Sequence, residues 1–176
     1  CKSLIVGTNW LSEFYLDAAK ITQLGQIYAN HALYRGGLIK LYNSSSIVAL
    51  NSLSFASIVG VEIRGLVQSE AIVAQFGNVS VCANITAKTL VIRDAQTVEF
   101  CKEANGHIET VAMICEKFTY NAGVKIDHLI VMAKMVELWS ESPWIQFGSL
   151  MIEADEVVYN KPIYALKGNI QIVTTG

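Results

Sequence analysis

Apolar residues return about every 20 positions along this chain, and within each return they alternate with polar ones. The clearest pair sets Leu129, Val131, Ala133 and Val136 against Leu150, Ile152, Ala154 and Val157, the same spacing displaced by 21 residues. Phe14, Leu16, Ala18 and Ile21 open the chain with that spacing again. Alternation at period two puts every second side chain on one side of a strand, and a repeat this short suits a stack of strand coils better than a single closed core.

Two ladders follow from the pattern. The first runs Leu53, Ile72, Leu90, Ile108, Leu129, Leu150, Ile170, with a second apolar residue two positions on in most coils, as in Phe55, Ile92, Val131 and Ile152. The second runs Val61, Val79, Val98, Phe118, Val136, Val157, with companions Ile63, Val81, Phe100, Tyr120, Leu138 and Tyr159. Their offset of about half a repeat requires at least two strands per coil. In-register stacking of the shared spacing predicts Leu129 directly beneath Leu150 and Ala133 beneath Ala154.

Gly60, Gly65, Gly77, Asn78, Asn105, Gly106, Asn121, Gly123, Gly148, Asn160 and Gly168 fall between the apolar runs, as corners that turn through left-handed backbone would need. Pro143 and Pro162 also fall between ladders, where a missing N–H breaks no pairing. The expected architecture is all-β, a parallel β-helix with about 20 residues per coil, spanning 1–176 as one segment of a longer chain. Residues 1–37 read as less regular. There Trp10, Leu11, Phe14, Tyr15, Ala18, Ile21 and Leu24 also make a helical stripe that Asn9 could cap, in competition with the strand spacing at Phe14.

Charged residues make up only 16% of the chain, too few to cover the surface of an ordinary soluble domain, so much of it must be buried on both sides of strands or against other copies. The net charge of −2, with scattered basic residues, gives no electrostatic footing for nucleic acid. Leu41–Val61 lacks Asp, Glu, Lys and Arg and is long enough to span a bilayer, but eight Ser and Asn side chains within it would enter hydrocarbon, so no membrane span is expected.

The Leu129–Val136 and Leu150–Val157 phrases, with Gly or Asn corners, resemble the short repeats of filamentous-haemagglutinin-type and related extracellular β-helix proteins. The resemblance covers most of the chain from about Leu38 onward. It implies a right-handed parallel β-helix, a secreted or cell-surface location, and work as a structural fibre or adhesin stalk. The partners would be further coils of the same chain or identical subunits.

Carbohydrate-cleaving enzymes share this architecture and use clustered carboxylates. Here Asp17, Asp94, Asp127 and Asp155 fall at different phases of the repeat, with Asp94 aligned to Ala133 and Ala154 as a corner residue. His107 reads as a solvated turn residue, and His31 and His128 stand apart from any metal-ligand spacing. No phosphate loop or nucleophile elbow occurs. No catalytic residue, metal or cofactor is therefore expected. Trp139, Trp144 and Tyr159 are candidates for stacking on sugars or for an interface, which keeps a carbohydrate-binding or carbohydrate-cleaving role as the alternative.

Cys82 and Cys101 each lie three residues after a second-ladder start, which stacks them on the outside of adjacent coils within reach of a disulfide. Cys115 aligns at 21-residue steps with Val136 and Val157 and reads as buried, and Cys1 is free to pair outside this segment. Sequons at Asn43, Asn78 and Asn84 are candidate glycosylation sites, the last two bracketing a strand.

Overall fold

The computed structural model describes residues 10–175. It is a parallel β-solenoid of about nine turns, formed by strands β1 (Leu11–Gln23), β2 (Gln26–Leu41), β3 (Ser46–Ile63), β4 (Leu66–Gln75), β5 (Asn78–Val81), β6 (Asn84–Phe100), β7 (Asn105–Tyr120), β8 (Lys125–Leu138), β9 (Ile145–Phe147), β10 (Ser149–Tyr159), β11 (Ile163–Ala165) and β12 (Ile170–Thr174). Every strand pairing is parallel. Leu150 lies on Leu129, and Ala154 on Ala133. The amino-terminal stretch is strand from Leu11 onward and as regular as the rest, because Phe14, Leu16 and Ile21 continue the columns of Ala32, Tyr34 and Ile39. The helical alternative is thereby excluded for the described residues; Asn9 and Cys1 lie outside them.

A full coil carries three inward-facing pairs, one more than the two ladders. The chain passes first along a leading face, with Ile27 and Ala29 stacked on Ile47 and Ala49, and then on Val67 and Ser69. It continues along a middle face, the first ladder, and a trailing face, the second. All six second-ladder positions and their companions stack as the spacing requires. The first ladder contains one error. Leu90 pairs with Val111, and Val111 with Leu129, whereas Ile108 belongs to the leading face between Ala87 and Ile126. Steps of 18 and 21 fit either residue, but only Val111 has an apolar companion two positions on, the buried Met113.

The same rule corrects two further alignments. Cys115 stacks between Ala95 and Ala133, not beneath Val136, although it is buried as expected. The row of Ala133 and Ala154 is filled by Ala95; Asp94 is the extra residue of a bulge and adopts a φ of 56°. Most corner glycines keep φ negative. Only Gly77 and Gly106 use positive φ, while a side chain at Gly65 or Gly148 would strike the Ser45 hydroxyl or the Asp127 carbonyl, so at those two corners the requirement is space. Pro143 and Pro162 lie outside the strands.

The interior is mostly apolar, with Gln23 and Ser69 among its few buried polar residues, and carries aromatic columns. Phe14, Tyr34 and Phe55 stack at 5.3 and 5.4 Å between ring centroids, and Phe100, Phe118, Tyr120 and Phe147 form a second group. The buried Tyr34 hydroxyl donates to Gln23 Oε1 at 2.5 Å, and burial raises its pKa well above the ordinary value. The Tyr120 hydroxyl donates to the Val124 carbonyl at 2.7 Å. Two tyrosines can thus sit in the core because each polar end has a partner. Among the described residues no helix is long and apolar enough to cross a membrane.

Candidate functional site

The corner from the trailing to the leading face collects most of the residues singled out in the sequence. Cys82 and Cys101 follow Val81 and Phe100, which pair, so the cysteines stack on consecutive coils with Cα atoms 4.8 Å apart and their sulfurs bonded. Glu103 approaches the same pair, its carboxylate within 4.8 Å of both sulfurs, but each sulfur is committed to the other. The Ser80 hydroxyl lies 3.2 Å from Cys82 Sγ. Cys115 is separate and buried, and loss of solvation pushes its thiol up to about 12.

Asn43 sits in the exposed turn between β2 and β3; Asn78 begins β5 and Asn84 begins β6. All three are exposed, and Asn78 Oδ1 already accepts a hydrogen bond from Thr97 at 2.9 Å. Asn43 also helps line an open depression of about 580 Å³ with Leu24, Lys40, Glu62 and Arg64.

The aromatics separate into different surroundings. Trp144 meets Tyr164 edge to face at 6.5 Å, a partner the sequence did not single out. Trp139 lies at the other end of the same corner segment, between β8 and β9. Tyr159 occupies an inward column, on Leu138, yet is 56% exposed, because among the described residues no strand lies on its other side.

The histidines all have partners, which their sequence context did not reveal. His31 Nδ1 is hydrogen-bonded to Ser52 Oγ at 2.8 Å and His128 Nδ1 to Ser149 Oγ at 2.7 Å, both in one column between the leading and middle faces. His107 is not merely a solvated turn residue. Its Nε2 lies 3.2 Å from Asp127 Oδ2, with Lys167 Nζ at 3.5 Å from the same oxygen and Lys125 Nζ at 4.0 Å from Oδ1. Partial burial works to raise the Asp127 pKa; the His107 hydrogen bond and the charges of Lys167, His107 and Lys125 outweigh it and hold it below the ordinary value. The Asp127 side chain is 14% exposed and held by His107 from the coil below, Lys167 from the coil above and Lys125 of its own strand, an arrangement suited to clasping coils together. Asp17, Asp94 and Asp155 lie elsewhere, with Asp155 accepting from the Thr175 hydroxyl.

No family model, no curated protein and no solved structure matches this chain.

Proposed function

We propose that this chain is a structural segment of an extracellular or cell-surface fibre, which works by stacking coil on coil and joining further coils or identical subunits. The observation that carries this reading is the coil stack itself, about nine parallel turns with inward columns that run unbroken, as from Leu53 through Val111 to Leu150. Leu150 and Ile152 are 2% and 0% exposed, but Ile170 and Ile172, directly on them, are 43% and 36% exposed, as is Tyr159 beside them at 56%. Core positions open to water, on a strand that among the described residues is paired along one edge, favour pairing with another strand. Val173 and Thr174 add no charge or proline to block it. The exposed sequons and the cysteine pair support an oxidising, glycosylating route to the surface.

Sedimentation of the 176-residue chain tests the proposal. Concentration-dependent association that is lost in Ile172→Lys/Val173→Lys, with the thermal melt otherwise retained, is the expected result. A native chain that stays monomeric at high concentration, with rapid hydrogen exchange through Ile170–Val173, would overturn it.

A second reading, carbohydrate binding, is supported by the exposed Trp139, Trp144 and Tyr164 on neighbouring coils. It predicts that immobilised polysaccharide retards the native chain more than Trp144→Ala.

A further inference from the structure

The three outer faces of the solenoid differ in chemistry. Outward positions of the trailing face run Lys40, Glu62, Ser80, Glu99, Thr119, Glu137, with Lys40–Glu62 and Lys117–Glu137 ion pairs at 2.7 and 2.8 Å. The leading face is also largely polar, with Gln68, Thr86, His107 and Lys125 in one column. The middle face is not. Its outward column is Leu33, Ser54, Val73, Val91, Ala112, Ile130, Met151, and beside it Ile114 stacks on Met132 and Met132 on Glu153, while Arg93 lies on the coil below in the β6 bulge that faces Ile114. Ile114, Ile130, Met132 and Met151 are exposed. Among the described residues neither Arg93 nor Glu153 joins an ion pair within the chain.

We infer that this middle face binds a second copy of the chain side by side, antiparallel, about a two-fold axis between the coils of Ala112 and Ile130. Three observations select that occupant. Side chains spaced at the coil repeat interdigitate along several coils only with a partner of the same repeat, and another copy has it. An axis placed there sets small Ala112 against large Ile130, Val91 against Met151 and Ile114 against Met132. It also brings Arg93 against Glu153 at both ends of the contact, giving an apolar centre with a charged rim, as stable interfaces have. Four coils by two columns cover roughly 260 Å² per copy at strand spacings, about a third of a standard interface, so the contact is weak and concentration-dependent. The end-to-end contact uses different residues, so fibres would carry both: axial joints through the open strand edge, and paired rods through this face.

Analytical ultracentrifugation in an Ile170→Lys/Ile172→Lys background, which blocks axial growth at inward positions and leaves Val173 beside Glu153 unchanged, isolates the lateral contact. A dimer is expected, with its dissociation constant raised on the order of tenfold by Arg93→Glu or by Glu153→Arg alone, since each places like charges opposite one another. Arg93→Glu/Glu153→Arg together restores it, and Ile130→Ser weakens it. Thermal melts identify any variant that has lost its fold. A monomer at all concentrations, a dimer indifferent to the single reversals, or a double reversal that fails to recover would each overturn the inference. The axial reading would stand or fall separately, on the chain with its native carboxyl end.

Discussion

His107 Nε2 and Asp127 Oδ2 meet at 3.2 Å across adjacent coils, and Lys167 reaches the same oxygen from beyond. Because the Asp127 pKa is lower in the folded chain than its ordinary value of 3.8, the ionised carboxylate favours folding. That contribution is complete above the unfolded value and lost as pH falls through the lower folded value. The melting temperature of Asp127→Asn should therefore fall less than that of the native chain between pH 5 and about pH 2, with the difference measured by circular dichroism melts. Equal acid limbs would mean that the cluster leaves stability unchanged.

Val131 and Ile152 stack on one another in the middle of the core, each at most 1% exposed. Aspartate at either site would bury a charge with no partner and should cost about 4 kcal/mol or more, enough to unfold much of the stack. Met132→Asp, one residue along and facing outward, should cost less than about 1 kcal/mol. Urea denaturation of the three variants makes the comparison, and similar losses at all three would show that inward and outward are wrongly assigned.

Gly106 has φ of 113°, and a Cβ there would collide with the Ile85 carbonyl on the coil below. Gly106→Ala should destabilise by roughly 2 kcal/mol or more, through both backbone strain and the clash. At Gly25 a Cβ would meet no atom within 4 Å and φ is not positive, so Gly25→Ala should lie within about 1 kcal/mol of the native chain.

Cysteine chemistry should follow the corner geometry. Peptide mapping without reduction should recover Cys82 linked to Cys101, on coils 19 residues apart in sequence. Cys115, buried and with its thiol raised to about 12, should resist alkylation at neutral pH until the chain is unfolded. Rapid labelling of Cys115 in the native state would place it outside the core.

Sequence by itself determined the coil repeat, the parallel stacking and the complete trailing-face column from Val61 to Val157, because period-two alternation is local and needs no knowledge of neighbours. It also placed Cys82 beside Cys101, since both follow a strand of that column at the same distance. Register was decided only in three dimensions wherever corners vary in length. Ile108 and Val111 are both apolar and both fit a step near 20, and the step from β7 to β8 is 18 residues where that from β8 to β10 is 21, which puts Cys115 in the Ala133 row and not the Val136 row. The third inward pair escaped notice because its members shrink to Ala49, Ser69 and Ala87, which carry little apolar signal. His107, Asp127 and Lys167 come together for a similar reason: their charges follow no apolar alternation, and closing the coils brings His107 and Asp127, 20 positions apart, to 3.2 Å.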